Sequence, residues 1–218
     1  MTWNEDRVGK FTASEMWKLF VEPRSKSEKW SQTAKTYIFS KAVEEFTGFR
    51  ENISSKAIEH GLLNEKDGFD LFKYMTNLDW KFTGKEFFKI NDYCGASPDA
   101  VYYDNFDIIS VADIKCPQPV TFFERRTAWI DGEEINREYF YQLQTQMLAT
   151  GAESSFLVYY LAKEFVNTYS GDVEFAFDLP VEKRMFFMEL KSDKDVHNKI
   201  LEKVELANEY KKEILSKL

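Results

Sequence analysis

Gly95-Ala96-Ser97-Pro98-Asp99-Ala100 and, further on, Val111-Ala112-Asp113-Ile114-Lys115-Cys116-Pro117 form the stretch on which the reading of the fold turns. Ser97-Pro98-Asp99 is a turn signal, because proline fixes φ and Ser and Asp side chains cap turns. Asp104-Asn105 is a second one. The segment from roughly Ile108 to Cys116 is apolar and bounded by turns, which predicts a buried strand. Side chains alternate along a strand, so Val111, Asp113 and Lys115 share one face and Ala112, Ile114 and Cys116 the other. Opposite charges in an apolar strand are costly to bury unless they are paired or hold an ion. With the first turn beside the strand, Asp99 meets Asp113 and Lys115. Two carboxylates and an ammonium in one cleft suit Mg²⁺, which takes oxygen ligands, and the lysine could orient or help deprotonate a water. The alternative is a plain Asp–Lys salt bridge on a strand surface, since an isolated D-x-K is common by chance.

Composition narrows the classes. The chain has 218 residues, 44% hydrophobic and 17% aromatic, enough for one sizeable core, and a single domain over 1–218 is expected. A net charge of −8 argues against a chain that coats nucleic acid indiscriminately. It leaves room for a nuclease, whose metal-binding carboxylates keep the site acidic until the ion is bound. Cys94 and Cys116 suggest neither a disulfide framework nor a zinc site, and a reduced cytoplasmic setting is expected. No signal peptide and no transmembrane segment is expected. His60 and His197 are read as surface or satisfied histidines, which makes a histidine-based nucleophile mechanism a poor fit.

Near the N-terminus, Thr12 or Ser14 can cap a helix running through Leu19. Its free N–H groups, with Arg7 and Lys10 nearby, could hold a phosphate, or the cap could be an ordinary one. Trp30 to Phe46 has helical spacing and ends at Gly48. Ser54 to Phe72 predicts a helix with Ile58, Leu62, Phe69 and Phe72 as its apolar positions; Glu65 within it reads, alone, as a solvated residue. Phe82 to Ile90 predicts a strand. Pro117 to Trp129 is aromatic and basic, with Arg125 and Arg126 adjacent, and Asp131 to Arg137 reads as a loop. Tyr139 to Thr150 predicts a helix whose core face is Phe140, Leu143, Met147 and Leu148. Gln142 and Gln146 lie one turn apart on it, placed to orient water, to bond phosphate oxygens, or simply to solubilise the helix. Ser155 to Ala162, Asp172 to Phe177 and Arg184 to Leu190 predict strands. Asp193 to Leu218 predicts an amphipathic helix whose Lys and Glu pairs form a solvated outer face.

This order of helices, hairpin with Pro-Asp and Asp-x-Lys, helix and strand resembles the PD-(D/E)xK nuclease core, an α/β fold with a mixed central sheet flanked by helices. Five short motifs in order resemble its phage lambda exonuclease or YqaJ-type recombinase branch: Thr12-Ala13-Ser14 with Arg7 ahead of it, Gly61 with Glu65, Ser97-Pro98-Asp99, Asp113-Ile114-Lys115-Cys116-Pro117, and Tyr141-Gln142-Leu143-Gln144. Ser31 to Ile38 also resembles a helix of phage members. The resemblance implies Asp99 and Asp113 as metal ligands with the Ile114 carbonyl, and Glu65 at a second metal or its water. It implies Lys115 as the group that positions the nucleophilic water, Gln142 as its support, and Arg7, Ser14 and Ser97 as the binders of a DNA 5′-phosphate.

Two departures stand out. Asp113 replaces the glutamate of many members. Thr121 stands where the family has an arginine, which Arg125 or Arg126 could replace. The implied activity is a Mg²⁺-dependent 5′→3′ exonuclease, with Mn²⁺ as a substitute, acting on double-stranded DNA ends in phage-type recombination. The implied partners are a single-strand annealing protein and further copies of the chain in a trimeric ring, in a phage- or prophage-bearing bacterial cytoplasm. The alternatives are an endonuclease or nickase on the same core, a non-catalytic DNA-end-binding module, and an unrelated α/β domain with a structural Asp113–Lys115 pair.

Overall fold

The computed structural model describes residues 5–51, 55–84, 86–166, 173–176 and 178–218. In chain order the elements are β1 (Phe11–Thr12), a 3-10 segment (Ala13–Phe20), α1 (Gln32–Thr47), α2 (Lys56–Thr76), β2 (Lys81–Phe82), β3 (Phe88–Asn91), β4 (Cys94–Ala96), β5 (Ala100–Asp104) and β6 (Asp107–Lys115). Then follow α3 (Pro119–Ile130), α4 (Arg137–Thr150), β7 (Ser154–Tyr160), β8 (Glu164–Val166), β9 (Val173–Ala176), β10 (Met185–Lys191) and α5 (Lys194–Leu215).

The main sheet has the order β10-β7-β6-β5-β2. β5 and β6 form an antiparallel hairpin through the Asp104-Asn105 turn, where Asn105 takes φ 55°, a left-handed conformation that asparagine tolerates. β6 and β7 are parallel, so the chain must cross over between them, and α3 and α4 supply that connection. The sheet is therefore mixed, with β6 at its centre. β1, β4 and β3 form a smaller sheet, and β8 pairs with β9.

The alternation predicted for β6 is realised in packing. Ala112, Ile114 and Cys116 join Phe69 and Phe72 of α2 in one core cluster, whereas Val111 packs with Met147 of α4 in another. α2 lies especially close to the strand at Gly68, where a Cβ would come within 2.9 Å of Ile114 Cγ2. That approach brings Glu65, about one turn earlier, to the sheet's edge. A further core joins α1, α5 and the 3-10 segment around Met16, Ile38 and Val204.

Several expectations are corrected. The segment after Thr12 is 3-10 and not α-helical, and Thr12 makes no side-chain cap. Its backbone is instead held extended: Phe11 and Thr12 pair with Cys94 and Gly95, and the Thr12 N–H donates to Tyr37 Oη at 3.0 Å. The expected Phe82–Ile90 strand is broken, because β2 pairs in the main sheet and β3 in the smaller one, with Gly84 at φ 62° between them. Ile58 and Leu62 are exposed, since α2 packs on the sheet through Phe69 and Phe72 further along. On α5, Lys211 and Asn208 are buried and not part of a solvated face. His60 is buried and so not a surface histidine; it stacks on Phe165 at 4.1 Å with Nδ1 against Asn64, but its Nε2 has no hydrogen-bond partner among the described residues, so it is only half satisfied. Ser54, Asp172 and Phe177, ends of predicted elements, lie outside the described residues. Among the described residues, no helix is long and apolar enough to cross a membrane, and both cysteines are free and buried.

Candidate active site

β6 and the turn before β5 build the centre of the site. The Asp99 N–H donates to the Ala112 carbonyl at 2.9 Å, and Asp99 Oδ2 accepts the Ile114 N–H at 2.6 Å. The turn is thereby sewn to β6 just where β5 begins. A strand residue's N–H and C=O point to the same neighbour, so the Ile114 carbonyl faces the side on which Asp99 lies.

Asp113 is almost fully buried and gripped on both oxygens. Gln142 and Gln146 of α4 donate to Oδ1 at 2.5 and 2.9 Å, and the Lys115 ammonium stands 2.7 Å from Oδ2. The i, i+4 spacing of the two glutamines aims both amides at one carboxylate. This settles the alternatives left open for them: neither solubilises the helix, since both are buried. Gln146 is the partner that the motif comparison missed, although its spacing was the signal. Lys115 also lies 5.2 Å from the Tyr139 ring centroid.

The electrostatics follow from crowding. Burial, then the charges of Asp113 and Glu65, push the Asp99 carboxyl well above its ordinary range, against the opposing pull of Lys115 and the Ile114 N–H. Burial alone would lower the Lys115 pKa, but Asp113 and Asp99 outweigh it and hold the ammonium charged beyond its usual range.

One cavity of about 430 Å³ is lined by Asp99, Asp113, Ile114, Lys115, Gln142 and Glu65 together with Arg7, Ser14 and Ser97. Each residue that the family motifs imply for the site lines this one space, whereas Lys10 and Gln146 do not. Thr12, Ala13, Leu62, Lys66, Phe82 and Gly84 complete the wall; no pattern in the sequence marked the last four as site residues, because their neighbours come from distant segments. Ser97 Oγ is buried with no hydrogen-bond partner among the described residues, which a polar ligand would satisfy. Burial lowers the Arg7 pKa to about 10, helped by the like charge of Arg50 and opposed by Asp99, so the guanidinium stays charged at neutral pH. Neither Arg125 nor Arg126 lines the cavity; Arg126 instead donates to the Lys183 carbonyl at 2.6 Å.

The donor set fits a hard divalent cation. Three carboxylates, of Glu65, Asp99 and Asp113, line the cavity beside Ile114, an oxygen-rich set that suits Mg²⁺ or Mn²⁺, while Arg7, Lys66 and Lys115 supply as many basic groups along the same wall. Among the described residues no three acidic, His or Cys side chains lie close enough together to grip an ion, and one Asp113 oxygen is engaged by Lys115 at 2.7 Å.

The sequence matches the family model of the YqaJ-like viral recombinase domain over residues 2–153. No curated protein matches it. In fold it is similar to an alkaline exonuclease (LHK-Exo) from Laribacter hongkongensis, with TM-score 0.77, 20% identity and coverage of 98% of this chain and 93% of that one. The structure of LHK-Exo in complex with dAMP gives TM-score 0.77 at 21% identity, with the same coverage of 98% and 93%. A phage related exonuclease from Haemophilus somnus 129PT gives TM-score 0.76 at 20% identity over 95% of this chain and 96% of that one. At these identities the likeness is one of fold.

Proposed function

The chain belongs to the YqaJ-like viral recombinase domain family, and from that premise we propose that it is a metal-dependent deoxyribonuclease, a single nuclease domain that digests one strand of duplex DNA 5′→3′ from its ends. The observation that carries this reading is the shared cavity, in which a hydrolytic cluster (Glu65, Asp99, Asp113, Lys115, Gln142) and a phosphate-binding group (Arg7, Ser14, Ser97) line the same wall. The fold's likeness to proteins named as exonucleases supports it. The strand left behind is a 3′ overhang, the substrate that single-strand annealing consumes.

Asp99, Asp113, Glu65 and the Ile114 carbonyl would hold the ion, which when bound supplies charge stabilisation to the phosphoryl oxygens. Asp113 and Asp99 hold Lys115 in its charged form while those carboxylates carry no ion. From this place it would orient the attacking water or a phosphate oxygen, and with an ion on the same carboxylates it would stand where it can help to deprotonate that water. Gln142, with Gln146, holds Asp113 Oδ1 so that Oδ2 turns to Lys115. Arg7 offers a planar fork to a terminal phosphate, which a hydroxyl end cannot satisfy. Ser14 and Ser97 add hydroxyls beside it.

The test is incubation with linear, nicked and closed circular duplexes, with and without Mg²⁺, the linear ones carrying either a 5′-phosphate or a 5′-hydroxyl. Only linear DNA should be degraded steadily, only with the ion, and faster with the phosphate. A charge-assisted contact worth about 1.5–3 kcal/mol corresponds to a preference of about tenfold or more. Efficient cutting of closed circles would turn the assignment to an endonuclease.

A further inference from the structure

The turn that carries Arg7 is held by groups from the far end of the chain. Lys10 N–H closes it onto the Arg7 carbonyl at 3.1 Å. Gly9 sits inside it at φ 68°, pressed against α1 so closely that a Cβ would lie 2.8 Å from Glu45 Cβ. Both sides of the Gly9 residue are taken: its N–H donates to Glu44 Oε2 at 3.1 Å, and its carbonyl accepts from Lys211 Nζ at 3.0 Å.

Lys211 belongs to α5 and is 3% exposed. Its ammonium pairs with Glu45 at 2.5 Å and lies 5.6 Å from the Phe11 ring centroid. Glu44 is held in turn by Lys41 at 2.8 Å, another buried ammonium. Burying an ammonium is costly, and an apolar side chain could fill the same space. What the charge adds is a direction: it fixes one backbone carbonyl, two residues after Arg7. No residue of α5 lines the cavity; beside its apolar packing on α1 and the 3-10 segment, this contact is where α5 reaches the turn that bears Arg7.

We propose that Lys211 on α5 and Glu44 on α1 act as positioning residues for the terminal-phosphate pocket, clamping Gly9 from two sides so that Arg7 meets the phosphate in a fixed place. This rests on the assignment of Arg7 to that phosphate made above. A clamped turn spares the complex the ordering of Arg7 on binding, so losing the clamp weakens the grip on phosphorylated ends and leaves hydroxyl ends as they were.

The experiment measures kcat and KM on matched linear duplexes with 5′-phosphate or 5′-hydroxyl ends for the wild type, Lys211→Met, Arg7→Ala and the double variant, with thermal unfolding alongside. The wild-type preference of about tenfold or more should fall below about threefold in Lys211→Met, through KM for the phosphorylated end. Lys211→Arg should restore most of it. In the Arg7→Ala background, Lys211→Met should change the preference no further. An intact preference in Lys211→Met, or an equal loss on both ends that persists without Arg7, overturns the clamp and leaves the Arg7 assignment standing. A wild type with no preference overturns both. If Lys211→Met folds poorly, Glu44→Ala probes the clamp from the α1 side with the same expected loss of preference, and an unchanged preference there counts equally against it.

Discussion

Gln146→Leu separates what the buried amides do for stability from what they do for chemistry. Gln146 is fully buried, with Nε2 donating to Asp113 Oδ1 at 2.9 Å and Oε1 without a hydrogen-bond partner among the described residues. Removing the amide gives up a hydrogen bond to a carboxylate, worth about 1.5–3 kcal/mol. It also removes a buried acceptor that has no partner, which recovers about 1–3 kcal/mol. The two nearly cancel, and Gln142 still holds the same Asp113 oxygen at 2.5 Å. Stability should therefore move by no more than about 1 kcal/mol, less than a polar core substitution normally costs. Activity should not be spared: Asp113 would keep only one of its two amide contacts, and small misplacements of a catalytic group cost on the order of 10²-fold. The assay pairs the urea midpoint with initial rates of nucleotide release from 5′-phosphorylated linear duplex at saturating DNA and Mg²⁺. A rate within about twofold of wild type would refute the idea that the amide pair sets the Asp113 geometry, as would a stability loss above about 3 kcal/mol with turnover intact.

The remaining predictions address the cluster and the pH response. Asp113→Asn should keep the fold, because an amide oxygen can still accept from Gln142 and Gln146, while calorimetry shows most Mg²⁺ binding gone and cleavage nearly abolished; unchanged Mg²⁺ affinity would remove Asp113 from the ion site. Lys115→Ala is expected to abolish turnover yet bind DNA ends, measured by gel shift in Ca²⁺, and near-normal turnover would leave the lysine only as the partner of Asp113. Burial lowers the His60 pKa below its ordinary value, so the unfolded chain takes up the proton first as pH falls. The stability that the neutral ring contributes is complete above about pH 6.5 and is lost progressively below it. His60→Phe, which keeps the stacking on Phe165, should flatten that part of the stability–pH curve between pH 7 and 5.5, and an unchanged slope in urea unfolding would assign it to other groups.

What could be read from the sequence was whatever a local rule decides. The period of two along β6 put Asp113 and Lys115 on one face, and the packing of Val111 on Met147 and of Ile114 against α2 keeps that split. The turn at Asp104-Asn105 and the helix stop at Gly48, with φ 66°, are likewise chemistry of one or two residues. What was not legible depends on a distant partner. Phe82 to Ile90 reads as one strand, and only the existence of two different neighbours divides it into β2 and β3. Ile58 and Phe69 are equally apolar, yet the sheet reaches only the second. The polar residues show the same limit more sharply. Glutamines and lysines on helices are ordinarily solvated, so Gln146 and Lys211 look like surface until Asp113 and the Gly9 carbonyl are placed against them. A buried polar side chain is retained at a cost, and in this chain Gln146 points at Asp113 and Lys211 at the turn bearing Arg7. The residues that local rules misplace are therefore informative: each of these two marks a contact that ties a separate helix to the cavity.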